Sequence, residues 1–490
     1  MNSRVRNDTA RGAISGPRKN TALFRVATGL LACIAIAARA HDGQLDTSFG
    51  ATSYTRGTVV LGTGLRYDQD VADAVAIQSD GRIVVAGTSV TDDGDRTTLA
   101  VVRLNQDGTQ DMDFAGGPTP GAFVYPYGQR GTTASAIALD SMGRIVIGGS
   151  YANSDGVHAA IWRLFQDGTL DTSFGNDGMS LFTVDGDLAH TTAIYDLKLN
   201  VSDAIYVTGT YDGPGHSQLM LGVLGPDGSV VKITASDLPG SPPGDVVPTR
   251  LLVQADGKLA VAGYWKVAGQ WLCMDARFNV TLDGSGFHFP LDTTYHPGFG
   301  YNGFSRGYSG PAGEHLTDCY NDAFLQRADG SYIAAGRTAY DNLGGGWIAQ
   351  FYRLDANGNL IDNAIVRLSP FGDNSIRNVL EQSDRRVVMS GFTGYDDGQG
   401  DTGSGFVAAR FVPDLSALDP GYGNNGIGFF KFDALDSSND QSFAAALDAD
   451  ERVVMAGSSF GGIQSPSNTR FAIARLQSDL IFRNAFELHE

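Results

Sequence analysis

The stretch Ala72-Asp73-Ala74-Val75-Ala76-Ile77-Gln78-Ser79-Asp80-Gly81-Arg82-Ile83-Val84-Val85-Ala86-Gly87 decides how this chain is read. An alternating run, an Asp-Gly turn and a second apolar run ending in small residues and glycine make a β-hairpin signature. The closing glycine recurs as Gly149, Gly209, Gly263, Gly336, Gly391 and Gly457, at successive spacings of 62, 60, 54, 73, 55 and 66 residues. Downstream of it a further strand ends in Arg plus an apolar residue, at Arg103-Leu104, Arg163-Leu164, Arg277-Phe278, Arg353-Leu354, Arg410-Phe411 and Arg475-Leu476. The third copy departs, with Val223-Leu224. A second turn follows, then a Leu-Asp-x-x-Phe/Tyr-Gly segment and a fourth short strand. That segment stands as Leu45 to Gly50, Leu170 to Gly175 and Leu418 to Gly423, and, with an insertion before Phe299-Gly300, as Leu291 to Gly300.

Four short strands make a sheet that cannot bury both faces alone, so the copies must stack. Unit length favours radial stacking over a β-solenoid, whose coils are shorter. The expected fold is all-β, a seven-bladed β-propeller of four-stranded antiparallel blades. Its phase is split between the termini. The last copy supplies strands near Phe443 to Asp448, Arg452 to Ser458 and Phe471 to Leu476, and the missing fourth lies near the N-terminus. Thr58 to Leu61 is therefore expected to pair beside Phe471 to Leu476 and close the ring.

The motifs Asp-Gly-Arg-Ile-Val-Val-Ala-Gly, Val-Arg-Leu-Asn-Gln-Asp-Gly-Thr and Leu-Asp-Thr-Ser-Phe-Gly resemble the delta-60 repeat of secreted and surface bacterial proteins, over residues 45 to 479. The resemblance implies a propeller-like fold and carries no catalytic residues with it.

Residues 1–40 read as a secretory signal peptide: Arg18, Lys19 and Arg25, an apolar run from Val26 to Ala38, and Ala38 and Ala40 in A-x-A spacing. Residues 41–479 form the repeat domain and 480–490 a tail. Export, to the periplasm or beyond, is the expected location, with no membrane span and a monomeric chain. The formal net charge of -19 becomes -25 without residues 1–40, which hold seven Lys/Arg and one Asp. Such a surface repels phosphate backbones, so nucleic acid is not an expected partner, and calcium, a cationic ligand or simple solubility are the readings left. Beyond residue 40 two cysteines remain, Cys273 and Cys319, which are read either as a bridge or as two small buried residues.

Acidic residues gather in the loops after the second strands. Asp92, Asp93 and Asp95, and Asp396, Asp397 and Asp401, are the candidate Ca²⁺ ligands, because interleaved carboxylates and glycines suit a hard cation. No calcium-loop consensus is present, and Asp and Gly are equally turn formers. The long fourth repeat carries the aromatic candidates for glycan or peptide binding, Tyr295, His296, Tyr301 and Tyr308. The recurring arginine is read as structural, pairing with a blade aspartate or covering apolar surface with its stem. Eight histidines are scattered without metal-ligand spacing, and no nucleophile elbow or phosphate loop appears. The expected function is a non-catalytic propeller that recognises a protein or glycan through its loop face. The alternatives are a hydrolase or lyase using channel carboxylates such as Asp185, Asp187 and Asp318, and a calcium-stiffened envelope component.

Overall fold

The computed structural model describes residues 42–51, 53, 55–65, 69–90, 96–116, 119–125, 130–186, 188–238, 244–296, 304–306, 316–340, 346–370, 372–396, 402–432, 439–460 and 469–478. The domain is an all-β propeller. Among the described residues its strands form two sheets of eight, three of four and one two-stranded hairpin. In the first copy Asp70–Ile77, Ile83–Val90, Thr97–Leu104 and Ala122–Val124 pair antiparallel in chain order. Each eight-stranded sheet is two such antiparallel runs joined by one parallel bridge, Thr97 to Gly131 in one and Ser404 to Asn439 in the other. The extra hairpin, Thr281–Asp283 with Gly286–His288, is an insertion in the fourth copy.

Sequence pattern explains the strand types. The inner strand Asp70–Ile77 alternates between buried and half-buried residues, whereas Ile83–Val90 and Thr97–Leu104 are nearly continuous buried runs. Middle strands are covered on both faces by the neighbouring sheets, so they read as unbroken small and β-branched residues. The Asp-Gly turn between the first two strands places Gly81 at φ +79°, a left-handed conformation that glycine adopts without strain.

The recurring glycine has a steric cause. Every inner strand carries one extra residue opposite it, as Asp73 does between the pairs Ala72 to Gly87 and Ala74 to Ala86, and this bulge brings a carbonyl across the glycine. A Cβ on Gly87 would stand 2.0 Å from the Val71 oxygen, and one on Gly209 would stand 1.8 Å from that of Ala193. No side chain fits there.

The recurring arginine clamps one copy to the next. Arg103 Nε donates to Asp111 at 2.8 Å, its guanidinium lies 4.7 Å from the Phe114 centroid, and Nη1 donates to the Gln166 carbonyl in the following copy. Arg163 repeats this with Asp171, Phe174 and the Pro226 carbonyl. Arg475 does so with Asp46, Phe49 and the Gln106 carbonyl.

The strand Thr58–Leu61 runs antiparallel to Thr469–Arg475, with Val59 opposite Ile473. Phe49, Val59 and Leu61 share a core with Ile83 and Val85 of the first copy and Val454 and Ile473 of the last.

Candidate functional site

The extra residues on the inner strands include Asp73, Tyr195, Asp322 and Arg377. In the fourth to sixth copies the inner strands and the residues that follow the glycine build a shared cluster. Arg377 Nη1 lies 3.2 Å from Asp322 Oδ2. Arg250, two copies away in the chain, donates Nη1 to the Thr249 carbonyl and Nη2 to the Arg377 carbonyl, both at 2.8 Å. Burial lowers the Arg377 guanidinium below its ordinary range; Asp322 opposes this, and the like charges of Arg337 and Arg250 reinforce it. The Nε atoms of Arg337 and Arg377 are buried without a hydrogen-bond partner. A buried donor left unpaired costs about 1–3 kcal/mol.

Beside this cluster stands an aromatic shelf. Tyr264 packs edge-on against Trp271 and Tyr320, with centroids 5.1 and 4.7 Å apart, and Tyr320 packs edge-on against Trp347 at 5.2 Å. All four rings are half-buried. Arg337 lies 4.9 Å from the Tyr320 centroid and 5.2 Å from that of Trp347, and Lys266 lies 5.2 Å from Trp271. Burial pushes the Tyr264 hydroxyl up to about 12, with Asp322 and Tyr195 adding to the effect.

The strands that carry the shelf are tied together. Cys273, paired across the sheet with Tyr264, forms a disulfide with Cys319, which precedes Tyr320. This resolves the cysteines as a bridge. Asp318 Oδ1 accepts the Trp271 amide at 2.8 Å, and Asp373 Oδ1 accepts that of Trp347 at 2.9 Å. Asp373 and Phe392 also line a cleft of about 520 Å³, together with Tyr395, Asp396, Ser404 and Asn439. Phe392 lies under Arg377, centroid to guanidinium 5.5 Å, so cleft, arginine cluster and shelf adjoin.

The sequence candidates are placed differently. Tyr295 and His296 are buried, and both hydrogen-bond to Asp275 Oδ2 at 2.7 Å. The alignment through Phe299-Gly300 is also corrected, because Tyr295 takes the Phe position under Arg277 and His296 takes the Gly position at φ 51°. Like Gly50, whose amide donates to the Asp107 carbonyl, His296 donates its amide to that of Asn357. Tyr301, Tyr308, Asp92, Asp93, Asp95, Asp397, Asp401 and Asp187 lie outside the described residues, as do 1–40 and 480–490. Asp396 lines the cleft, and no cluster of three metal-ligating side chains occurs among the described residues. Asp185 lies in the short 3-10 turn Val184–Gly186, while Asp318 serves the shelf as a backbone acceptor. The carboxyl that stands out is Asp73, which burial pushes up to about 7 against the lowering effect of a hydrogen bond with Thr88.

Sequence reasoning passed over the shelf although a signal existed. The residue after the recurring glycine is Thr88, Ser150, Thr210 and Ser458 in four copies, but Tyr264, Arg337 and Phe392 in the fourth, fifth and sixth. Large residues there interrupt a small-residue position in three consecutive copies.

A family model described as a domain of unknown function (DUF5122) beta-propeller matches residues 78–114 and 143–174. No curated protein matches the sequence. Solved structures similar to this chain include the polysaccharide lyase Uly1, at 11% identity and TM-score 0.48, covering 89% of this chain and 97% of that one. Another is the β-propeller domain of the Trilobed protease from Pyrococcus furiosus, at 9% identity and TM-score 0.40, covering 84% of this chain and 97% of that one.

Proposed function

We propose that this chain is an exported, non-catalytic propeller of seven four-stranded blades, closed by its N-terminal strand, that binds a glycan on the aromatic shelf. Closure is supported by features of the last-to-first junction that recur at other junctions. Gln69 bridges Thr469 in parallel as Gly131 bridges Thr97, and Arg475 clamps the Gln106 carbonyl as Arg103 clamps that of Gln166.

The observation that carries the binding reading is the group Tyr264, Trp271, Tyr320 and Trp347, half-buried and set edge to face beside a cleft. Exposed aromatic faces offer a rigid apolar platform for the C–H faces of sugar rings, and the surrounding Asp, Asn and Ser groups suit hydroxyls. The disulfide and the two backbone-anchored aspartates hold the platform in place before ligand arrives.

Titration of the folded chain with an oligosaccharide panel, followed by tryptophan fluorescence, tests the reading. Trp162 and Trp265 are buried in the core, so a saturable change reports Trp271 and Trp347. Trp347→Ala is expected to weaken binding roughly tenfold, about 1.4 kcal/mol. A flat response to every oligosaccharide, or full affinity in that variant, would overturn the reading. A second reading, a hydrolase or lyase, is favoured by Asp73 alone, whose carboxyl burial pushes up to about 7, so that its acid form is populated near neutral pH as a general acid requires. Turnover of a glycan abolished by Asp73→Asn would establish it.

A further inference from the structure

The arginine cluster narrows the ligand, on the assumption that the shelf binds a glycan. We infer that the glycan is acidic, and that Arg337 and Arg377 take its carboxylate or sulfate while its ring lies on the shelf.

Three arginines converge here in a chain of net charge -19. Among the described residues the carboxylate that meets Arg377 is Asp322, at 3.2 Å. Arg250 spends both terminal nitrogens on backbone carbonyls, which leaves its charge unneutralised by those bonds. The neighbouring carboxylates Asp318 and Asp373 are engaged with the amides of Trp271 and Trp347. Three guanidiniums thus stand close together, and among the described residues Asp322 is the carboxylate in salt-bridge contact with Arg377, while Arg337 lies against the rings of Tyr320 and Trp347.

Hydrogen bonding points the same way. Arg337 Nε and Arg377 Nε are buried and unpaired, and an incoming oxyanion supplies the acceptors that the protein does not. Guanidinium suits this task because its planar fork matches carboxylate and sulfate oxygens. Arg337 also stacks between Tyr320 and Trp347, so the cationic group sits within the platform itself. A sugar ring on the aromatic faces would carry its acidic substituent toward the guanidinium plane. A neutral sugar offers these donors only uncharged hydroxyl oxygens, which make the weaker hydrogen bond to a guanidinium.

The test is calorimetric titration of the folded chain with three sets of oligosaccharides of equal length: neutral, uronic-acid-bearing and sulfated. At least one acidic set is expected to bind about tenfold or more tighter than the neutral set, with the advantage shrinking as salt rises. Arg337→Gln and Arg377→Gln should each reduce the acid-to-neutral preference about tenfold, and Arg337→Lys should restore only part of it. Unchanged melting temperatures show that the variants fold; if either fails, the wild-type comparison of acidic with neutral sets decides the matter. Acidic and neutral sets binding within twofold of each other overturns this inference and leaves the glycan reading intact. Absence of binding in every set overturns both. The better acidic set tells carboxylate from sulfate.

Discussion

Replacing Asp73 by asparagine should make the propeller more stable, and only above mildly acidic pH. In the folded chain burial pushes this carboxyl up to about 7 from 3.8, although Thr88 hydrogen-bonds to it. At pH below 4 the group is protonated in both folded and unfolded chains and adds nothing. Between pH 4 and 7 the unfolded chain ionises it while the folded chain does not, so stability falls as pH rises. Above 7 the loss is complete. The distance from 3.8 to about 7 corresponds to roughly 4 kcal/mol at most, and partial solvent contact reduces it toward about 2 kcal/mol. Asparagine retains the size and an acceptor for Thr88 but cannot ionise. Urea unfolding of wild type and Asp73→Asn at pH 4, 5, 6, 7 and 8 measures the difference directly. The two should coincide near pH 4 and separate steadily to pH 7. A gap that does not vary with pH, or a variant that grows weaker as pH rises, would refute the assignment of a buried, neutral Asp73.

Reduction of Cys273–Cys319, which are 46 residues apart, should cost about 4 kcal/mol on the loop-entropy model, read as a drop in melting temperature with added thiol. Gly209→Ala forces a Cβ to 1.8 Å from the Ala193 oxygen, so it should destabilise by about 3 kcal/mol or more. Gly284→Ala, with nothing within 4 Å and no left-handed φ, should stay within about 0.5 kcal/mol of wild type in the same denaturation assay. Asp171→Ala leaves the buried Arg163 without its carboxylate and should cost about 3–5 kcal/mol, measured by urea unfolding.

Much of the fold was legible because it is written in repeated local chemistry. The glycine is dictated by a carbonyl that crosses it, and the arginine by an aspartate, an aromatic ring and the next copy's turn, so both reappear wherever those contacts reappear. The split phase pointed to the pairing of Thr58–Leu61 with Thr469–Arg475, since a strand missing from one end stands at the other. The site was harder to see. Repetition marks what is structural, whereas the site is marked by departures from the repeat at Tyr264, Arg337 and Phe392, in three consecutive copies. Aromatic density drew attention to Tyr295 and His296, but there the repeat's own Phe-Gly position is filled by a Tyr-His pair that Asp275 ties into the interior. Net charge misled as well. A sum over the chain suggests cationic ligands, while one cluster brings Arg250, Arg337 and Arg377 close together.

The central structural claim is a ring held shut by its N-terminal strand, and amide hydrogen exchange of residues 58–61 tests it most directly. A closed ring predicts that these amides exchange slowly, in step with those of Thr469–Arg475, and that deleting residues 42–61 exposes the latter to fast exchange. Rapid exchange at 58–61 in the intact chain, with 469–475 still protected, would contradict closure.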